Sequence, residues 1–109
     1  MKGSTVTLVL SVLSREPMHG YSMTKEMERL SQGVLTLKEG TLYPILHSLE
    51  RDGLIVARWE STPGGRDRKV YHLTDEGRGE LRRRAQEWEQ FRTAVDAVVQ
   101  GGVWAYAGA

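Results

Sequence analysis

Lys38, Thr41 and Tyr43 place an amine, a hydroxyl and a phenol within one short window, and Arg66, Arg68 and Lys69 gather three cations further along. These groups donate hydrogen bonds and neutralise anions. Bond-making chemistry needs something else, such as a nucleophile beside a base or a loop that cradles phosphate. No Ser-His-Asp order, carboxylate pair or phosphate loop stands out. His19, His47 and His72 are each isolated from a Cys, an Asp or a second His at metal-ligand spacing. No enzyme activity, catalytic residue, metal or cofactor is therefore expected, and His19 reads as part of a turn. The donors point instead to an anionic partner, of which a nucleic-acid backbone is the obvious case.

Bulk properties neither supply nor forbid that partner. The 109 residues make one domain with a modest core, and the formal charge is only +1. Any electrostatic case must rest on where the charges sit. There is no cysteine, which suits a reducing cytoplasm. The apolar run at residues 6–13 is broken by Thr7 and Ser11 and is too short to span a bilayer. No basic region or cleavage site of a signal peptide opens the chain. A cytoplasmic protein without a membrane segment is expected.

The elements that must position the donors follow from periodicity. In residues 38–53, Leu42, Ile45, Leu46 and Leu49 recur at helical spacing, leaving Lys38, Thr41, Tyr43, Ser48 and Arg51 opposite. Gly53 offers the positive φ on which helices stop. Pro44 costs one hydrogen bond, to Gly40, and predicts a loosened first turn rather than a break. Upstream, Ser4 and Thr5 cap a helix over residues 6–14 with Val6, Val9, Leu10 and Leu13 inward, stopped by Pro17. A turn at Met18, His19 and Gly20 leads to a helix over residues 21–30 with Met23, Met27 and Leu30 inward. A link of about seven residues then follows, long for a simple helix-turn-helix.

Downstream of Gly53 the period changes to two. Residues 54–60 alternate with Ile55, Ala57 and Trp59 on one side, residues 61–65 are a turn, and residues 69–73 alternate again. This is a hairpin whose tip is followed by Arg66, Arg68 and Lys69 against Asp67 alone. Thr74 caps a long helix expected to end near Gln100, with Asp75 and Glu76 where the dipole favours acids. Gly77 stands where a capping-box Glu would be. Leu81, Ala85, Trp88, Val95 and Val99 keep heptad spacing, Arg92 takes the remaining seam position, and Phe91 and Val98 widen the stripe. So long a stripe exceeds what a small core can cover and predicts pairing with a second copy. The chain thus divides into a head (1–73), a dimerisation helix (74–100) and a flexible tail (101–109), whose Trp104 and Tyr106 are either loose or docked on the dimer.

The order helix, helix, helix, basic hairpin, long helix is the winged helix-turn-helix plan, mainly α with one small β-hairpin. The residues resemble the PadR-type transcriptional regulators, in the compact branch with a single C-terminal dimerisation helix. The resemblance is carried by Pro17-Met18-His19-Gly20-Tyr21, Gly40-Thr41-Leu42-Tyr43-Pro44-Ile45-Leu46 and Leu49-Glu50-Arg51-Asp52-Gly53-Leu54-Ile55. Gly64-Gly65-Arg66, Arg68-Lys69-Val70-Tyr71 and Leu73-Thr74-Asp75-Glu76-Gly77 continue it. Arg92 on the seam and the tail depart from the pattern.

The resemblance implies a homodimeric repressor that binds double-stranded DNA at an inverted-repeat operator and is released by a small molecule or other signal. Lys38, Thr41 and Tyr43 would meet DNA from the third helix, and Arg66, Arg68 and Lys69 from the wing. Leu81, Ala85, Trp88, Phe91, Val95 and Val99 would form the dimer seam. Trp88 has two readings: an anchor in that seam, or one of two rings that sandwich a planar aromatic effector. The rival for the whole chain is a winged-helix module that binds protein partners without specific DNA binding. That module would leave the third-helix face acidic or apolar, whereas here it carries donors.

Overall fold

Leu42, Leu46 and Leu49 fix the third helix against the body, each 4% exposed or less. Burying each leucine contributes about 1.5–3 kcal/mol. The computed structural model describes the backbone of residues 4–107 and the side chains of residues 4–102. Its elements are α1 (Ser4–Arg15), α2 (Gly20–Leu30), α3 (Glu39–Arg51), β1 (Ile55–Ser61), β2 (Asp67–Leu73) and α4 (Asp75–Ala107). Val9, Leu10, Val12 and Leu13 of α1, Met23 and Met27 of α2, the three leucines of α3, and Ile55, Tyr71 and Met18 form one core. Winged helix-turn-helix architecture with a long C-terminal helix follows.

Two helices end in the same way. After α2, the Gly33 N–H bonds Glu28 O at 2.8 Å and the Gln32 N–H bonds Arg29 O at 3.2 Å. After α3, the Leu54 N–H bonds Leu49 O at 3.0 Å and the Gly53 N–H bonds Glu50 O at 3.1 Å. Both are Schellman closures, which need a left-handed residue just past the cap. Gly53 supplies it at φ 75°, as its position in the sequence predicts, while Gln32 supplies the other at φ 53°. Pro44 leaves α3 unbroken.

β1 and β2 pair antiparallel, from Ile55 opposite Leu73 to Ser61 opposite Asp67. Met18 exchanges two backbone hydrogen bonds with Tyr71, at 2.9 and 3.3 Å, so the turn before α2 is stitched to the far edge of β2. The wing tip closes through Gly65 N–H to Thr62 O at 3.0 Å. Positive φ falls on Gly65 and not on Gly64, the signature of a type I turn with Pro63 at its second position and a left-handed residue after it.

Three expectations need correction. Leu30 is 38% exposed, because α2 overruns the core by its last turn. Trp59 is 69% exposed: the strand alternates as expected, but only the Ile55 end of the hairpin lies over the core. α4 does not end near Gln100 but continues to Ala107. Gly101 and Gly102 each cost about 1 kcal/mol relative to Ala in a helix, yet neither takes the left-handed conformation that would stop it. The side chains of Trp104 and Tyr106, and residues 108–109, lie outside the described residues.

Candidate nucleic-acid interface

The outward face of α3 is centred on Gly40, Pro44, His47 and Arg51, which recur at i, i+4, i+7 and i+11 and are all exposed. Thr41 flanks this line on one side and is also exposed. Lys38 is the N-cap residue, and its carbonyl accepts the Thr41 and Leu42 N–H groups at 3.0 Å. The sequence reading named Lys38, Thr41 and Tyr43 but gave His47 and Pro44 no place on the outward face of α3. The same spacing that located the leucines, counted on the opposite side, would have found them. Ser48 is partly buried and Arg51 donates to its hydroxyl at 3.2 Å, so both belong to the last turn's own surface.

Tyr43 sits on the other flank, turned toward α2 and the wing. Its ring and hydroxyl lie across Gly20: a Cβ there would be 2.7 Å from Tyr43 Oη and 2.9 Å from Cζ. The Gly20 of the turn is thus a space requirement. The ring remains 38% exposed, at the mouth of an open cleft that it shares with His19, Ser22, Arg68 and Tyr71.

The three wing cations part company. Arg66 stands exposed at the tip, where Thr62 donates its hydroxyl to the Arg66 carbonyl at 2.6 Å and holds the loop shut. Arg68 reaches back to α2, its Nη1 donating to His19 Nε2 at 3.2 Å. Lys69 turns to α3, with Nζ 3.4 Å from Glu50 and 5.4 Å from the Tyr71 ring centre. Burial pushes the Tyr71 phenol up, and the Lys69 ammonium opposes that shift. Lys69 therefore ties the wing to α3, while Arg66 and Arg68 carry the unneutralised charge. His19 caps α2 through its carbonyl, which accepts the Ser22 and Met23 N–H groups at 3.0 and 3.2 Å.

α4 leaves this surface as a rod of about 50 Å at 1.5 Å per residue. Thr74 caps it, accepting the Gly77 N–H at 3.0 Å and donating its own hydroxyl to Gly53 O at 2.7 Å. Gly77 is buried there, and a Cβ would lie 2.1 Å from Leu54 O. That explains why no capping-box Glu occupies the position. Leu81 packs on the protein's own core. The other five seam residues, Ala85, Trp88, Phe91, Val95 and Val99, are exposed. The Trp88 and Phe91 rings lie 5.9 Å apart, tilted by 36°. Arg92 pairs with Glu89 and Asp96 on its own helix, at 2.5 and 3.3 Å, which accounts for a cation beside an apolar stripe. Among the described residues, no cluster of three His, Cys, Asp or Glu could hold a metal, and no helix is long and apolar enough to cross a membrane.

Comparison with known proteins places this arrangement in a family. The model of the transcriptional regulator PadR-like family matches residues 9–83. The transcriptional regulator YqjI of Escherichia coli is 34% identical over 95 residues, which are 87% of this chain and 44% of that protein. The chain therefore spans less than half the length of that relative. A PadR-like transcriptional regulator from Bacillus cereus superposes with a TM-score of 0.79 at 28% identity, covering 91% of this chain and 94% of that one. A transcriptional regulator from Clostridium thermocellum gives 0.79 at 26% identity, over 88% and 93%.

Proposed function

The chain belongs to the transcriptional regulator PadR-like family, and from that premise we propose that it acts as a dimeric, sequence-specific DNA-binding repressor. α3 lies in the major groove with Lys38, Thr41 and Tyr43 toward DNA, and the wing follows the adjacent backbone with Arg66 and Arg68. Lys69 contributes by fixing the wing to α3 through Glu50. The observation that carries this reading is the exposed face of α3 standing beside an arginine-bearing wing to which it is directly tied. An exposed helix face of about four turns is the size of element that the major groove admits. A protein-docking module is the weaker reading, because this face offers no apolar patch for a partner.

Ala85, Trp88, Phe91, Val95 and Val99 of α4 pair with their equivalents in a second copy, placing two reading heads on one duplex. A planar aromatic molecule between the two Trp88 rings is the candidate release signal. The work of the protein is binding and not catalysis.

Selection of duplexes from a random-sequence pool tests the reading. An inverted repeat with half-sites about one helical turn apart, roughly 34 Å, is expected. Arg66→Ala should lower the slope of log affinity against log salt by about 0.9, one phosphate contact. A pool that enriches no sequence, with no duplex bound at low salt, would return the chain to the protein-docking module.

A further inference from the structure

We propose that the cleft between the start of α2 and the wing is the seat of one DNA backbone phosphodiester, held by Arg68 and Tyr43. This rests on the DNA-binding reading above and adds to it the start of α2, which positions both groups. Arg68 is the first reason. It abandons the wing tip to lie 3.2 Å from His19, a residue 49 positions earlier in the chain. An arginine can only donate, so His19 Nε2 is the acceptor, and the guanidinium keeps its full charge. Arg29, Arg83, Arg84 and Arg92 are all paired with glutamates of their own helices. Arg68 has no carboxylate partner among the described residues, and a guanidinium in that state matches a phosphodiester oxygen pair.

The second reason is that a free hydroxyl is brought to the same space. Ser22 Oγ lies 3.1 Å from His19 Nε2 and steadies the imidazole against which Arg68 rests. Tyr43 Oη is brought over the α2 backbone from α3, a position open only because residue 20 is glycine. Its hydroxyl has no acceptor among the described residues. Two elements, β2 and α3, thus point donors into one cleft.

Charge then selects the ligand. The cleft that holds Tyr43 and Arg68 has no carboxylate in its lining. On the other side of His19 an adjoining hollow is lined by Glu16, Glu26 and Glu60 with a single cation, Lys25. An anion crossing His19 would leave an arginine for three carboxylates. The phosphate therefore has one side to occupy, and His19 and Gly20 act as positioning residues for the groups that hold it.

The test uses a duplex enriched from the random pool, remade with single phosphates replaced one at a time by uncharged methylphosphonates. Wild-type protein should lose about tenfold in affinity at one position per half-site beside the start of α2, the scale of a charge-assisted contact. Arg68→Ala should bind that modified duplex and the unmodified one equally, while keeping its sensitivity at every other position. Tyr43→Phe, which removes only the hydroxyl, should weaken binding about threefold and shrink the same position's effect. Gly20→Ala, provided its melting curve matches wild type, should reproduce the Tyr43→Phe result. If Arg68→Ala retains full sensitivity at every phosphate, or Tyr43→Phe binds like wild type, the seat does not exist although the protein binds DNA. If the pool enriches nothing, the failure lies with the DNA-binding reading itself.

Discussion

Gly77 and Gly79 stand two residues apart in the first turns of α4, and replacing each with alanine should move stability in opposite directions. Helix propensity alone says that both changes stabilise, by up to about 1 kcal/mol. At Gly79 nothing interferes, since the nearest atom to an added Cβ is the end of the Arg82 side chain at 3.9 Å. Gly79→Ala should therefore gain about 0.5–1 kcal/mol. At Gly77 the added carbon would lie 2.1 Å from Leu54 O and 2.6 Å from Leu73 Cδ1. The first of these is backbone and cannot rotate away. Leu54 O also accepts the Thr74 N–H at 3.1 Å, and Thr74 donates to Gly53 O at 2.7 Å.

Moving α4 outward to relieve the clash strains or breaks those two bonds, at about 0.5–1.5 kcal/mol each. Overpacking adds about 1–3 kcal/mol. Set against the propensity gain, Gly77→Ala should lose about 1–5 kcal/mol, which lowers Tm by roughly 5 °C or more in a domain of this size. Circular dichroism melts at matched protomer concentration measure both variants, because association would shift Tm with concentration. A Gly77→Ala protein that melts at or above wild type would refute the close approach of α4 to Leu54.

Phe91→Glu combined with Val95→Glu should convert a dimer to a folded monomer by light scattering, since neither side chain touches the core; an unchanged mass would remove the α4 seam. Leu81 is the wrong place for that test, because it packs on the protein's own core and its loss would unfold the head. Titration with planar aromatic dyes should quench tryptophan emission in wild type and not in Trp88→Ala, which retains Trp59 and Trp104. Quenching that persists in Trp88→Ala would leave Trp88 as an anchor only.

Periodicity made most of the head legible, because one side of each of α1, α2 and α3 is buried in one small core. Leu42, Leu46 and Leu49 could be paired with no other face, and Gly53 could end α3 in only one way. What remained hidden depends on contacts between distant segments. Tyr43 reads as an outward residue of α3 until Gly20, 23 positions earlier, is found beneath it. Lys69 reads as one of three wing cations until Glu50 claims it. Gly77 reads as half a capping box until the Leu54 carbonyl is found against it. Gly101 and Gly102 mislead for the converse reason: glycine permits a helix to end but does not oblige it to. Trp59 shows the limit of alternation, which reports the face of a strand but not how far the core beneath it extends.

The joint between α4 and α3 is the path by which an event on the rod would reach α3. Thr74 donates to the carbonyl of Gly53, the residue that terminates α3, and Leu54 both closes the α3 terminus and accepts from Thr74. The residues that close α3 and the residue that caps α4 thus share hydrogen bonds directly. Leu81, two turns on, seats the rod against the core. A change in the crossing angle of two α4 helices near Trp88 would act on a lever whose short arm is this joint. Because packed side chains at the joint are close to incompressible, tilt there displaces α3 and does not dissipate in slack. In the proposed dimer, the spacing of the two reading faces follows the α4 crossing angle. A ligand between the Trp88 rings could change operator affinity only by its preference for one angle over another. That ties the Gly77 test to function. A helix pushed off Leu54 should lose the coupling as well as the stability, and Gly77→Ala should bind half-sites without discriminating their spacing.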